Sequence, residues 1–181
     1  AEAGLEDRVN VVMEDFRDLE GTYDKLVSIE MIEAVGHELF ETYFQKCSDL
    51  LKPDGAMLVQ AITMADQRYE EYRRSVDFIQ RYIFPGGALP SNALMVDAAA
   101  RLTDLRLLGV EDIGLHYART LRHWRHNFFD AIDDVRGQGF SGTFIRMWEF
   151  YLATCEGGFL ERAISTVQLV FTKPDCRLRT I

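Results

Sequence analysis

The sequence predicts an α/β fold in which a mostly parallel sheet is covered by helices on both faces. Short, nearly continuous apolar runs alternate with segments of helical periodicity, the pattern of strands that are buried on both sides. Turns such as "KPDG" carry Pro, Asp and Gly and separate these elements. The last apolar run, "ISTVQLVFTK", instead alternates polar and apolar residues, as expected for a strand with two different faces.

About five strands are predicted, with helices between them. Residues 38–51 repeat apolar side chains at helical spacing and predict a helix that ends at the "KPDG" turn. The predicted strands are "VNVVM" (9–13), "KLVSI" (25–29), "AMLVQAIT" (56–63), "LRLLGVEDIG" (105–114) and "ISTVQLVFTK" (164–173).

Two segments between the strands are predicted to be helical insertions that form a lid over the strand ends. The first, 64–99, is charged and contains the breaker "FPGGALP". The second, 118–160, is dense in aromatic residues, and Phe140, Phe144 and Trp148 recur every four residues to give one apolar helical face. The sheet is therefore assigned to about 1–63, 100–117 and 161–181.

Composition fits one compact domain and disfavours several classes of function. The 181 residues are 48% hydrophobic, enough for a core, and the net charge of -9 argues against nucleic acid as a partner. Three separated cysteines and four histidines form neither a disulfide framework nor an HExxH motif, so we expect no metal. Without a membrane-spanning run of roughly 18 apolar residues or a signal-peptide pattern, we predict a cytoplasmic protein.

Two carboxylates directly follow the second predicted strand, in "VSIEMIEAVGHE" (27–38). Active sites of open α/β sheets lie beyond the carboxyl ends of the strands, which makes Glu30 and Glu33 candidate site residues. Their spacing of three would place both on one face of a helix. The alternative for Glu33 is a carboxylate that simply favours the N-terminus of a helix.

Five segments, taken in order, resemble the cyclopropane-fatty-acyl-phospholipid synthases and the related mycolic acid methyltransferases. The resemblance implies a class I S-adenosylmethionine (SAM)-dependent methyltransferase fold, a Rossmann-like sheet whose last strand is antiparallel. By that comparison the chain carries strands three to seven, and the glycine-rich SAM motif lies upstream. The segments are "VSIEMIEAVGHE", "LLKPDGAMLVQAIT", "YIFPGGALPS", "HYARTLRHW" and "YLATCEGGFL".

The resemblance also implies a reaction and its catalytic residues. In this family a methyl group from SAM is added to a cis double bond of a phospholipid acyl chain, and loss of a proton closes a cyclopropane. A bound bicarbonate is implied, held by Glu33, the Tyr117 hydroxyl and the Ile62 amide. Gln60 replaces a histidine found in many relatives, and glutamine cannot become cationic. Cys155 matches a signature cysteine, although no neighbouring His or Lys favours a thiolate.

The same comparison assigns the SAM-binding residues. Glu14, Asp15 and Phe16 lie in "MEDFRD", which corresponds to the loop at the adenine. Asp15 would accept a hydrogen bond from the exocyclic amine, Phe16 would lie against the ring, and Ile29 would pack near the cofactor. For Phe16 the alternative is ordinary packing. For Tyr117 it is a core position with a satisfied hydroxyl.

The implied partners are an unsaturated phospholipid and, as a peripheral contact, the inner face of the membrane. Arg119, Arg122 and Arg125, with His123 and His126, form either a solvated helix face or a contact with lipid headgroups. Strands missing from the sheet would leave an unpaired edge, so we expect a homodimer.

Two other functions remain open on the sequence alone. The first is methyl transfer to a lipid alkene or a small amine without ring closure, which the glutamine in place of histidine keeps open. The second is a lipid-binding module without catalysis, because the isolated chain is expected to bind SAM weakly and to be inactive.

Overall fold

Four strands form one mixed sheet in the computed structural model, which describes residues 4, 5 and 7–178. The strands are β1 (Tyr23–Ile29), β2 (Leu51–Met64), β3 (Arg106–Asp112) and β4 (Ile164–Thr172). Their order is β1-β2-β4-β3; β1 and β2 are parallel, whereas β4 is antiparallel to both of its neighbours. The predicted α/β class is confirmed, and the last strand is antiparallel as the resemblance implies.

The strand predicted at 9–13 is wrong. These residues are irregular and exposed, and Val11 and Met13 show 81% and 95% of their surface to solvent. β-Branched residues favour a strand only where a neighbouring strand pairs with them. Within the described residues β1 pairs on one side only, with β2, so the sheet has four strands rather than the expected five.

Helices connect the strands and cover both faces of the sheet. The helix predicted at 38–51 is confirmed as a 3₁₀ turn, His37–Leu39, followed by an α-helix. No helix of the described residues is long and apolar enough to cross a membrane. The α-helices are α1 (Phe40–Asp49), α2 (Tyr69–Tyr72), α3 (Phe78–Tyr82), α4 (Asn92–Leu102), α5 (Gly114–Asp130), α6 (Ile132–Gly137) and α7 (Gly142–Leu160).

The larger core lies between one face of the sheet and the helices α1 and α4. Alternate residues of β2, including Val59 and Ala61, are fully buried there with Phe44 of α1 and Met95 of α4. α4 begins inside the first predicted insertion, 64–99, and ends three residues beyond it, so that part of the insertion covers the sheet. A lid function for the remainder stays a prediction.

A second, smaller core joins α5 and α7 to the opposite face of the sheet. Leu121 of α5 and Phe159 of α7 are buried in it, and Ile62 of β2 packs against them. An ion pair reinforces the contact, because Nε of Arg122 donates to the buried Glu156 carboxylate at 2.8 Å. α5, which carries Tyr117, is thereby fixed above the carboxyl end of β2.

Candidate active site

Glu30 ends β1 in an unusual backbone conformation. Its φ of 51° lies in the left-handed region, which costs a residue with a side chain about 1–3 kcal/mol. Its amide donates to the carbonyl of Gln60 at 2.8 Å, one residue beyond the regular ladder. Such strain persists where the surroundings enforce it, and it concentrates at functional sites.

Two hydrogen-bond donors from different elements converge on the Glu30 carboxylate. The Tyr117 hydroxyl, on α5, donates to Oε2 at 3.0 Å. Nε2 of Gln60, on β2, donates to Oε1 at 2.9 Å. A third side chain extends the network, since Nε2 of Gln168 on β4 donates to Oε1 of Gln60 at 2.8 Å. Four elements therefore contribute to one half-buried polar network centred on Glu30.

Glu33 lies beside this network but has different partners. It belongs to the 3₁₀ helix Ile32–Ala34, and its Oε1 accepts the amide hydrogen of Ile62 at 2.5 Å. Its Oε2 is buried without a hydrogen-bond partner among the described residues. Burial raises the pKa of Glu33 from 4.5 to about 7, against the opposing effect of the Ile62 amide. A proton therefore occupies Glu33 for much of the time near neutral pH.

The predicted catalytic residues Glu33, Ile62, Tyr117 and Gln60 lie in one region, but they form two separate hydrogen-bonded groups rather than one shared pocket. Ile62 pairs with Glu33, whereas Tyr117 and Gln60 pair with Glu30. Burial raises the pKa of the Tyr117 hydroxyl, and the charges of Glu30 and Glu33 raise it further. Tyr117, Glu30 and Glu33 are therefore within electrostatic reach of one another. The Tyr117 hydroxyl remains protonated, and so a hydrogen-bond donor, at neutral pH.

An aromatic cleft opens between α5 and α7 beside the polar network. Its cavity of about 370 Å³ is lined by Trp124, Asn127, Phe128, Trp148, Tyr151 and Leu152. Burial raises the pKa of Tyr151 to about 12, and Glu30 adds to the shift, so the cleft lies within electrostatic reach of that carboxylate. The predicted helical face is present in part: Phe144 and Trp148 of α7 stack with ring centroids 5.6 Å apart, whereas Phe140 lies before the helix and stacks on Phe144 at 4.5 Å.

Cys155, on α7, packs against the smaller core as a half-buried thiol. Burial raises its pKa to about 11, and the nearby Asp77 carboxylate acts in the same direction. A thiolate is the nucleophilic form of cysteine, so this environment disfavours covalent catalysis by Cys155.

The fold and the site can now be compared with known proteins. A family model described as mycolic acid cyclopropane synthetase matches residues 1–169. The chain belongs to the mycolic acid cyclopropane synthetase family. This is the family group that the five sequence segments indicated, and its solved structures have the SAM-dependent methyltransferase fold.

Several family members of known name are similar to the chain. Tuberculostearic acid methyltransferase UfaA1 of Mycobacterium tuberculosis is 44% identical over 88% of this chain and 37% of its own length. Cyclopropane-fatty-acyl-phospholipid synthase of Escherichia coli is 34% identical over 91% of this chain and 41% of its own. Others are named fatty acid or sphingolipid methyltransferases. The chain spans about two fifths of the length of the first of these curated relatives.

A solved family structure confirms the fold. Mycolic acid cyclopropane synthase CmaA1, in complex with SAH and CTAB, superposes with a TM-score of 0.78 at 27% identity. The match covers 87% of this chain and 58% of that protein.

The donor set of the present chain does not fit the bicarbonate ion that the family resemblance implied. The Ile62 amide already donates to Glu33, and both Tyr117 and Gln60 already donate to Glu30. An added anion would compete with Glu33 for the Ile62 amide and with Glu30 for the Tyr117 hydroxyl. The carboxylate of Glu30 therefore takes the place between Tyr117 and Gln60, and we derive no step through bicarbonate.

The predicted cofactor-binding residues fit SAM in part. Ile29 is 53% exposed at the carboxyl end of β1, directly before Glu30, and offers an apolar contact surface. Phe16 packs against Tyr43 of α1, with ring centroids 6.0 Å apart. Both side chains are apolar, as a contact with an adenosyl group requires, and Phe16 also packs against the larger core.

The two carboxylates of the same loop are arranged differently. Glu14 is exposed. Both oxygens of Asp15 accept hydrogen bonds from Arg17, at 2.9 and 2.8 Å, and Arg17 holds the pKa of Asp15 at about 2. Oδ2 of Asp15 accepts one hydrogen bond from Arg17 and has a further acceptor site, so Asp15 can accept from an adenine amine while it stays paired.

Sequence reasoning singled out Glu30 by its position but gave it no role, and it missed Gln168. The signal for Glu30 was a second carboxylate at the end of a buried strand. The signal for Gln168 was a glutamine in an apolar strand, matched by Gln60 in another. Neither signal revealed that the side chains of Glu30, Gln60 and Gln168 meet. The two glutamines that contact each other are 108 positions apart in the sequence, and no local pattern links them.

Proposed function

We propose that this chain forms the catalytic part of a SAM-dependent methyltransferase that alkylates a cis double bond of a phospholipid acyl chain. The observation that carries the proposal is the Glu30 carboxylate, fixed by Tyr117 and Gln60 within electrostatic reach of Tyr151, a residue that lines the aromatic cleft. SAM, when bound, supplies an electrophilic methyl group whose addition to an alkene leaves a cation on the acyl chain. The chain's own residues must then exclude water and remove one proton.

Water exclusion is assigned to the aromatic cleft. Trp124, Phe128 and Trp148 line it, and its volume of about 370 Å³ lies in the range of small-molecule sites. An acyl chain is uncharged, so an apolar lining with few polar groups binds it without leaving donors or acceptors unpaired. A dry cleft also protects the cation from capture by water.

Proton removal is assigned to Glu30. Both of its oxygens accept hydrogen bonds, which fix the carboxylate in position, as general-base catalysis requires. A C–H bond of the transferred methyl group breaks, its electron pair closes the ring onto the cationic carbon, and the proton passes to a Glu30 oxygen. Glu33 is the weaker candidate, because it carries a proton for much of the time near pH 7 and is bonded to the β2 backbone.

A second product is favoured by one comparison. UfaA1, 44% identical to this chain, is named a tuberculostearic acid methyltransferase. If hydride shifts between the two former alkene carbons before proton loss, the cation lies on the carbon that carries the new methyl group. Glu30 then takes a proton from that methyl group, and a methylene branch (C=CH₂) forms instead of a ring. The two products have equal mass, and proton NMR separates cyclopropane protons from vinylic ones.

The test uses the complete gene product that contains these residues, with SAM and vesicles of a cis-monounsaturated phospholipid. Wild type is expected to add the mass of one methylene to the acyl chain. Glu30→Gln, which keeps the size but loses the base, is expected to lower the rate about 10²–10⁴-fold. Glu38→Gln, an exposed position in the same segment, is the matched control. No methylene added by wild type, or a Glu30→Gln rate equal to that of the control, would contradict the proposal.

We also propose that the protein acts as a homodimer at the cytoplasmic face of a membrane. α5 exposes His116, Arg119 and His123, and Trp124 beside them is 47% exposed at the cleft. Cationic and aromatic side chains of this kind suit a phospholipid surface. Arg122 and Arg125 contribute less than the sequence indicated, because both are bonded to Glu156. Sedimentation with anionic vesicles at low and high salt tests this contact.

A further inference from the structure

A glutamine on the far side of Gln60 controls which end of the Gln60 amide faces Glu30. Gln168 of β4 is the direct cross-strand partner of Gln60 in β2. Its Nε2 donates to Oε1 of Gln60 at 2.8 Å, and Nε2 of Gln60 donates to Oε1 of Glu30 at 2.9 Å. The two amides therefore form a directed chain of donors that ends on the carboxylate.

The direction of this chain follows from the asymmetry of an amide. One end of Gln60 only accepts hydrogen bonds and the other only donates. Rotating its amide by half a turn would bring an oxygen against the Glu30 carboxylate and an NH₂ group against the NH₂ group of Gln168. Both contacts would be repulsive, so the donor of Gln168 and the carboxylate of Glu30 favour the same orientation of the Gln60 amide.

Gln168 belongs to an interior strand of the sheet. β4 is paired on both sides, with β2 and with β3, and the neighbouring Val167 and Leu169 are fully buried on the opposite face. Such a strand cannot shift to follow a moving side chain. The backbone of Gln168 is therefore held by the fold and not by the site that its side chain serves.

We propose that Gln168 is a positioning residue, which acts through Gln60 to keep the Glu30 carboxylate oriented for proton removal. The proposal rests on the proposed function of Glu30. It adds to the same site a residue that lies one hydrogen bond further from Glu30 than Gln60 does. It does not require Gln168 to touch the lipid or the cofactor.

The experiment replaces the hydrogen-bond donor at position 168 with an acceptor. In Gln168→Glu a carboxylate replaces the donor, so the Gln60 amide is expected to turn its NH₂ group toward residue 168 and its oxygen toward Glu30. We expect kcat for phospholipid alkylation to fall about tenfold or more with KM nearly unchanged. Gln168→Leu, which only removes the donor, is expected to have a smaller effect. Gln138→Glu, an exposed position after α6, controls for the added charge.

The same substitution, made in a Gln60→Leu variant, distinguishes a positioning role of Gln168 from a merely structural one. In Gln60→Leu, no amide remains to be turned, so adding Gln168→Glu is expected to lower kcat by less than twofold. This non-additivity is the signature of an effect that passes through Gln60. Equal losses in the two backgrounds, or no loss in either, would overturn the proposal.

An activity-free measurement distinguishes failure of this proposal from failure of the proposed function. In protein with ¹⁵N-labelled glutamine, the Gln60 side-chain NH₂ resonances are expected to move in Gln168→Glu and not in Gln138→Glu. If these resonances move but wild type alkylates no phospholipid, the proposed function fails and the orientation of Gln60 stands. Unmoved resonances would contradict the role of Gln168 whatever the activity.

Discussion

Two glutamates three residues apart have opposite properties because their surroundings differ. Glu30 accepts two side-chain hydrogen bonds beside the cleft, whereas Glu33 has one backbone donor and one buried oxygen without a partner among the described residues. They do not share a helix face as their spacing predicted, because Glu30 leaves β1 in the left-handed conformation before the 3₁₀ turn begins. Backbone geometry thus separates Glu30, the proposed base, from Glu33, which carries a proton for much of the time near neutral pH.

Glu33 makes folding stability depend on pH. Its pKa is about 7 when folded and near 4.5 when unfolded, so the folded state binds more protons between these values. The stabilisation is complete below about pH 4.5 and is lost as pH rises through 7, by up to about 3 kcal/mol. Glu33→Gln keeps an acceptor for the Ile62 amide and is expected to be more stable than wild type at pH 8. Urea unfolding at pH 5, 6, 7 and 8 measures this.

The control for that experiment is Glu38→Gln, which alters an exposed carboxylate in the same segment. It is expected to keep the slope of wild type across this pH range. A wild-type slope no steeper than that of Glu33→Gln would show that Glu33 titrates as an ordinary surface carboxylate.

At the scale of elements, one ion-pair cluster joins the two helices that form the cleft. Glu156 of α7 is buried, and its two oxygens accept from Arg122 at 2.8 Å and from Arg125 at 3.0 Å. The hydrogen bond from Arg122 is the main cause that lowers the pKa of Glu156, with Arg125 adding to it. The cluster therefore remains ionised at neutral pH and keeps α5, with Tyr117, against α7.

Glu156→Ala is expected to destabilise the protein by about 1–2 kcal/mol, because it leaves two arginines without their partner. The figure stays modest since Arg122 is about half exposed and solvent screens its charge. Because the pKa of Glu156 is lowered on folding, its contribution is complete at neutral pH and is lost in acid, below about pH 4.5. Thermal unfolding at pH 7 and pH 4 tests both statements, with Glu149→Ala, an exposed change on α7, as reference. Equal melting temperatures for the two variants at pH 7 would contradict the role.

At the scale of the whole molecule, the sheet is open at β1 within the described residues. Val27 and Ile29 are 66% and 53% exposed along this strand, and β1 pairs only with β2. An open strand edge with apolar side chains is a template for pairing with another chain. The 181-residue chain is therefore expected to self-associate, and light scattering is expected to give a mass above 20.8 kDa that increases with concentration.

Val27→Lys places a charge on this strand and is expected to shift the chain toward monomer. Lys25→Arg, on the same strand, controls for substitution in β1 without a change of charge. A wild-type mass of one chain at every concentration would contradict self-association through β1.

The positions of the strands could be predicted from sequence, whereas the centre of the site could not. Apolar runs are local signals, and four predicted runs overlap β1, β2, β3 and β4, although β1 and β3 are mostly exposed rather than buried on both sides as expected. The run at 9–13 has the same local signal but no partner strand, and pairing is a property of the fold. Glu30 acquires its role from Tyr117, 87 residues away, through helix packing that no local pattern encodes.

The most direct test of the Glu30 assignment is the bicarbonate dependence of phospholipid alkylation by the complete gene product. Wild type is expected to react at the same rate in bicarbonate-free buffer and in added bicarbonate, because Glu30 supplies the carboxylate. Glu30→Gly removes that carboxylate and the left-handed strain, and its low rate is expected to recover in part when bicarbonate is added. A wild-type enzyme that stops without bicarbonate, or a Glu30→Gly variant as active as wild type in its absence, would show that Glu30 is not the base.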